Sequence, residues 1–518
     1  MTRLLPRDSA ARLAILAILC VALIASGLVW GNTRWGVGLR GDSYMYVSGA
    51  RNLAAGLGYS RISGGGEVKP ITHFPPLFSI VLAAFQAVGW DAVSAARGLA
   101  IALMGLNTLL AGALAWRLAN RPLAGVVSAF LFGLNPLFLD VHSWAMAEPL
   151  FIALTLGTLL VLPWAAAGQA RRALLPGLLA GLACLARYVG AAGIAAGTAV
   201  LLWPRPGVRL KLRHAAACLL ASLLPVGAWL LRNLQISGTS TNRQIIWHPI
   251  DPSKLTDAGA TFAAWLLPNT LVAVHGWLVW VGVALGVVCL VAVAVLLLSA
   301  VSLTGEADPG LARCLAWFVF AYTGVLLGNL LLLDSSTPLD ARILSPLLSV
   351  LTPLLAALIV LVWWRGRVAS KFLMVILALL LLTGFADDGR RLLDQGWLRG
   401  WGFSHRLWQS SALMQAIREL PPVTLYTNEP DLVYFQTGRP SYIIFGSLDP
   451  VTGLPREGYD EWLTQARMTL AQGRAALVLV NYEALLNGAG DRAMVEALSE
   501  GLVMIGSYDD GVILSAGE

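Results

Sequence analysis

The stretch LVAVHGWLVWVGVALGVVCLVAVAVLLLSA, residues 271–300, carries no Asp, Glu, Lys or Arg. A helix needs roughly 20 mostly apolar residues to cross a bilayer core, and this segment has that length. Runs at 13–29 and 350–363 are likewise free of charge. Across 518 residues the chain is 57% hydrophobic and 13% charged, whereas soluble globular chains carry about 25% charged residues. The sequence therefore reads as a polytopic α-helical membrane protein.

The net charge of +7 does not indicate nucleic acid, because the basic residues are spread between apolar runs and form no patch with aromatics. Many of the 19 Trp lie at the ends of apolar runs (Trp30, Trp35, Trp116, Trp144, Trp164, Trp203, Trp363, Trp364), where indole rings favour the membrane interface. The five Cys (Cys20, Cys184, Cys218, Cys289, Cys314) fall in apolar stretches without a CxxC pair. They read as small buried hydrophobes.

Lys and Arg accumulate on the cytoplasmic side of span ends, and this rule threads the chain. Arg3, Arg7 and Arg12 place the N-terminus inside, ahead of an uncleaved first helix at 12–30. A long outer loop, 31–73, follows. The run 74–90 opens with Pro75-Pro76 and is short for a span, so it reads as an interfacial or re-entrant helix on the outer face. Spans at 93–116, 122–139, 149–166, two within 173–203, 214–231, 271–300, 312–333, 343–363 and 372–386 make about 11 transmembrane helices in all. The segment 234–268 reads as an outer extramembranous stretch. Arg117, Arg121, Arg171, Arg172, Arg205, Arg209, Lys211, Arg213, Arg365, Arg367 and Lys371 then lie inside. If 74–90 spans instead, the basic loop at 117–121 moves outside; the basic loops favour the first threading.

From about 387 charged residues return. Strands are expected at 423–427, 442–445, 475–480, 502–505 and 512–514, and helices at 405–420, 459–472 and 483–498. Strands alternating with helices suggest a small α/β domain. The chain divides into a membrane domain, 1–386, and an extracytoplasmic C-terminal α/β domain, 387–518.

The outer loops hold the candidate functional residues. Asp42, just past the first helix, has the position of a general base for an acceptor hydroxyl, and equally that of a helix cap. Glu148 opens a span, where the macrodipole alone favours an acid; Asp140 and His142 precede it. With His73, these residues share one face of the membrane, and ionisable groups at such depth are functional candidates. A divalent cation on Asp, Glu and His stays open, although the spacing matches no strong ligand motif. Lys69, Arg187, Arg232 and Arg342 sit at the outer edge. Arg binds phosphate bidentately, and snorkelling to headgroups is the structural alternative. Gly64-Gly65-Gly66 is a loop, since no strand–turn–helix surrounds it.

Gly41-Asp42-Ser43-Tyr44, Ala50-Arg51-Asn52-Leu53 and Gly56-Leu57-Gly58-Tyr59 resemble the first outer loop of bacterial GT-C glycosyltransferases. That family includes a protein mannosyltransferase-like group and the aminoarabinose transferases of lipid A. Thr72-His73-Phe74-Pro75-Pro76-Leu77 is similar to its Pro-Pro segment, where the family often has Lys in place of His73. Asn135-Pro136 and Met146-Ala147-Glu148-Pro149-Leu150 resemble its second acidic segment. Asp340-Ala341-Arg342 with Pro346 resembles a late Arg-aromatic-Pro segment, with Ile343 replacing the aromatic. Thr427-Asn428-Glu429-Pro430 and Thr437-Gly438-Arg439-Pro440 resemble a stretch of the outer domain.

The resemblance covers roughly 40–518. It implies a polyprenyl-phosphate-linked sugar donor, inverting transfer, an outward-facing site and Asp42 as base, with Glu148 matching the second acid. The expectation is a membrane glycosyltransferase in which Arg187 and Arg342 hold the donor phosphate. Tyr44, Lys69, His73 and Arg232 are further substrate-binding candidates. The acceptor is a lipid, a glycan or a protein. Rival readings are a transporter or flippase, a non-catalytic binding protein for lipid-linked sugars, and a ligase for lipid-linked oligosaccharides.

Overall fold

The structure is a computed structural model, and it describes residues 9–203, 208–243, 245–298, 308–366, 368–448, 455–487 and 489–517. Of the basic residues used for threading, Arg3, Arg7, Arg205 and Arg367 lie outside the described residues. Among the described residues eight helices are long and apolar enough to span: Ser9–Asn32, Ala92–Ala119, Glu148–Ala166, Val208–Ser237, Leu278–Val295, Pro309–Leu332, Ala341–Arg365 and Val368–Leu398. The chain is thus a multi-pass membrane protein.

Three of the expected spans lie on shorter helices. The expected span at 122–139 is two helices, Pro122–Gly133 and Pro136–Val141. Asn135 stops the first and caps the second, its side chain accepting from Leu137 N at 2.9 Å. The expected pair within 173–203 is Leu174–Ala186 and Ala191–Leu202, separated where Arg187 turns extended. At 1.5 Å per residue a helix of 12 or 13 residues is about 20 Å long. The run 74–90 gives the short helix Leu77–Gln86, as its prolines suggest.

Two helices of the membrane domain escaped the sequence reading: Gly41–Ala54 in the first loop and Ser253–Leu266 in the stretch 234–268. The sequence GDSYMYVSGARNLA is a poor apolar repeat. It is held by Tyr46, Val47 and Ala50, which pack on Phe78, Leu82, Ala92 and Ala96; tertiary packing overrides weak propensity. Three cysteines, Cys184, Cys218 and Cys314, are buried as expected, but Cys20 is exposed on the outward face of its helix and Cys289 is half-buried. Small residues bring the spans close: Gly177 and Gly181 lie against the backbone of Cys218 and Ser222.

Seven strands are present: β1 Ser60–Ile62, β2 Val68–Pro70, β3 Thr424–Thr427, β4 Tyr442–Ile443, β5 Ala475–Val480, β6 Leu502–Tyr508 and β7 Gly511–Ala516. β1 and β2 form a hairpin in the first loop. The C-terminal sheet runs β4-β3-β5-β7-β6, with β3 parallel to β4 and β5, and β7 antiparallel to β5 and β6. β5 is buried throughout. Its Leu477 and Leu479 face the helices Tyr459–Ala471 and Ala489–Ser499, and its Ala476, Val478 and Val480 face Ala412–Glu419 and Pro430–Thr437. The boundary placed at 386/387 falls inside the helix Val368–Leu398. The apolar run ends there, but the ion pairs Asp387–Arg391 and Arg390–Asp394 carry the helix onward.

Candidate active site

The segment just before Asp42 is pinned on both sides. Gly38 N donates to Ser143 O and Ala145 N to Gly38 O, both at 2.8 Å, and Phe403 N donates to Leu39 O at 2.9 Å. Gly402 takes a φ of +53°, and a Cβ there would press into the carbonyl of Leu39. The helix Gly41–Ala54 therefore starts from a fixed point with Asp42 in its first turn. Glu148 opens the helix Glu148–Ala166, with Pro149 setting the first turn. Arg342 is in the first turn of Ala341–Arg365, which Asp340 caps by accepting from Ile343 N at 3.0 Å. Arg187 follows the last turn of Leu174–Ala186.

Acids belong at helix N-termini and cations at C-termini. Asp42, Glu148 and Arg187 obey this rule and Arg342 opposes it. Two carboxylates offset the cost. Arg342 donates to Asp42 Oδ2 and to Glu148 Oε1, and Arg187 donates to the same Glu148 oxygen. The four side chains grade from closed to open: Glu148 is 1% exposed, Arg187 16%, Arg342 27% and Asp42 31%. Glu148 Oε2 is buried without a hydrogen-bond partner. Two acids and two arginines sum to zero charge.

Beside this cluster Arg40 stacks 3.6 Å from the ring centroid of Trp144, whose Nε1 donates to Asp140 at 3.1 Å. The sequence reading passed over Arg40. His142 is buried, Asn107 Nδ2 lies 3.0 Å from its Nε2, and the same Nδ2 donates to Pro149 O at 3.0 Å. His142 and Asn107 thus brace the turn that presents Glu148.

Lys69 and Arg232 separate from the acids. Lys69 is half exposed on β2 and pairs with Glu67 at 3.4 Å. Arg232 donates to Ile71 O at 2.7 Å and Tyr59 O at 3.1 Å, clamping the first loop onto the helix Val208–Ser237. His73 stands edge-on to Phe74 at 5.2 Å; burial lowers its pKa, and the neighbouring Arg243 lowers it further. Neither Lys69 nor Arg232 sits in the cluster, because each answers a nearer partner. Tyr44 donates to Ile62 O at 2.8 Å, and burial pushes its hydroxyl pKa up to about 12.

The C-terminal domain closes over this end of the bundle through a short helix that the sequence does not announce, Pro430–Thr437. Tyr434 meets Tyr44 edge-on at 5.0 Å, and Arg51 donates to the Tyr434 hydroxyl at 3.4 Å. Its brevity and the preceding Glu429-Pro430 hid it. Among the described residues no group of three or more His, Cys, Asp or Glu is arranged to hold a metal ion. Asp42 and Glu148 both accept hydrogen bonds from Arg342.

This architecture is the GT-C fold of membrane glycosyltransferases, found in solved structures that share it over nearly the whole chain. ArnT from Cupriavidus metallidurans in the apo state matches with a TM-score of 0.55 and 13% identity, covering 98% of this chain and 100% of that one. The same protein bound to undecaprenyl phosphate matches at 0.54 with 13% identity, covering 97% and 99%. The archaeal oligosaccharyltransferase AglB from Archaeoglobus fulgidus, in complex with an inhibitory peptide and a dolichol-phosphate, matches at 0.55 with 12% identity, covering 97% and 74%; AglB is also known in complex with Zn and sulfate. The arabinofuranosyltransferase AftD from Mycobacteria matches at 0.55 with 16% identity, covering 98% of this chain and 40% of that one. No protein-family model and no curated protein sequence matches the chain.

Proposed function

We propose that the protein is a membrane glycosyltransferase that moves a sugar from a polyprenyl-phosphate carrier to an acceptor hydroxyl on the outer face, with inversion at the anomeric carbon. The observation that carries this reading is the Asp42–Arg342–Glu148–Arg187 cluster at the bundle end under the soluble domain. It lies in a fold shared with a protein known in complex with undecaprenyl phosphate. In this reading the soluble domain lies outside the cell membrane.

Asp42, the more open acid, takes the proton of the acceptor hydroxyl. The acceptor oxygen attacks the anomeric carbon, the bond from that carbon to the phosphate oxygen breaks, and polyprenyl phosphate leaves with the electron pair. One displacement gives inversion. Arg342 fixes the direction of the Asp42 carboxylate through its Nη2 while its Nε donates to Glu148. Glu148 and Arg187 act behind it as positioning residues. Arg187 and Arg342 both answer carboxylates. Arg40, stacked on Trp144, supplies further positive charge for the leaving phosphate.

A transporter is disfavoured by the placement of the ionisable cluster at the bundle end, since transporters tend to place their sites near the midplane. The test is a panel of polyprenyl-phosphate sugars offered to the protein in nanodiscs with cell-envelope extract as acceptor source. Free polyprenyl phosphate should appear with at least one donor. Its absence with every donor contradicts the reading.

A further inference from the structure

The soluble domain reaches the acids through one short element. β3 ends at Thr427, and Asn428-Glu429 lead into the helix Pro430–Thr437. Asn428 locks this turn to β5: its Nδ2 donates to Val480 O at 3.0 Å and its Oδ1 accepts from Val480 N at 2.8 Å. β3 has β4 on one side and β5 on the other, both parallel to it. The carboxyl edge of parallel strands at such a switch point is where open α/β sheets bind ligands. Here that edge faces the helix Gly41–Ala54.

Asp431, in the first turn of Pro430–Thr437, comes out beside the start of that helix. A side chain placed at Gly41 would begin 3.2 Å from Asp431 Oδ2. Asp431 and Glu429 are half-buried. Among the described residues neither carboxyl has a hydrogen-bond or ion-pair partner, although Asp431 is within electrostatic reach of Arg61, Glu429 and Asp42. Tyr434 and Phe435 of the same helix hold the junction against Tyr44, at 5.0 and 6.3 Å.

Resting on the glycosyltransferase reading, we propose that Asp431 is the acceptor-positioning residue of the site, hydrogen-bonding one hydroxyl of a sugar or polyol whose neighbouring hydroxyl is presented to Asp42. The chemistry matches. Burial pushes the Asp431 carboxyl up to about 7, Glu429 and Asp42 add to the rise, and Arg61 opposes it. A carboxyl that keeps its proton near neutrality donates and accepts, as a hydroxyl does. Two hydrogen bonds to adjacent hydroxyls fix a ring in one orientation, which is what an in-line attack needs.

The test is saturation-transfer NMR with a panel of methyl glycosides on the full chain in nanodiscs. Wild type and Asp42→Asn should both saturate at least one glycoside. Asp431→Ala should weaken that glycoside's affinity about tenfold, the scale of one lost hydrogen bond, while keeping a cooperative melting transition. Asp431→Asn should keep part of the affinity, because an amide still donates and accepts. Equal affinity in wild type and Asp431→Ala overturns the assignment. So does a wild type that saturates no glycoside, or saturates a serine peptide in place of every glycoside. Glycoside binding that depends on Asp431, with no carrier release from any donor, refutes the transferase reading while leaving Asp431 as the polyol site.

Discussion

Glu148→Gln removes a charge from a side chain that is 1% exposed and leaves Arg187 and Arg342 facing a neutral amide. Breaking a buried ion pair by deleting one partner costs about 3–5 kcal/mol, because the surviving charge stays out of water. Here the survivors are 16% and 27% exposed, and Arg342 keeps Asp42. The lower end, about 3 kcal/mol, is therefore expected. Adding Arg187→Met removes the cation that has lost its carboxylate and replaces it with an apolar chain. The double variant should recover about 1–2 kcal/mol relative to Glu148→Gln alone. Thermal unfolding in nanodiscs, followed by tryptophan fluorescence, reads the order: wild type, then the double variant, then Glu148→Gln. If the two substitutions simply add, Glu148 and Arg187 are not a coupled buried pair and the electrostatic account of the site fails.

Two further outcomes are expected. The folded protein holds a proton on Asp431 up to about pH 7 that an ordinary Asp loses near 3.8. That contribution to stability is whole below about pH 4 and is lost as pH rises through 7. Asp431→Asn cannot titrate, so its melting temperature should fall less between pH 4 and 7 than that of wild type; parallel curves contradict the buried carboxyl. Glu67→Cys, in a background without the five native cysteines, should react with an impermeant maleimide on intact cells, and Arg209→Cys only after permeabilisation. The reverse pattern would invert the proposed sidedness.

Much of the fold was legible because a bilayer imposes long apolar runs. Residues 271–300 announce a span without any neighbour's help, and the continuous apolar run AALVLV at 475–480 announces a strand buried on both faces. What was not legible depends on contacts between distant segments. The sequence 122–139 reads as one span because nothing in its hydropathy shows that Asn135 caps a second helix. Asp42, Glu148, Arg187 and Arg342 were each visible as unusual charges near span ends. That Arg342 joins both acids across 300 and 194 residues was not. Lys69 and Arg232 carried the same local signal as Arg342, and their partners, Glu67 and two backbone carbonyls, appear only in the fold. Asp431 sits in a stretch that looks like an ordinary turn, and its significance comes from the docking of Tyr434 on Tyr44.

The most direct measurement compares wild type with Asp42→Asn in nanodiscs, following both the binding of undecaprenyl phosphate and the release of free carrier from a donor that wild type consumes. The account expects carrier affinity to stay within about twofold while release is lost, because the substitution removes the proton acceptor and keeps the shape. Undiminished release from Asp42→Asn would contradict the assignment of Asp42 as the base.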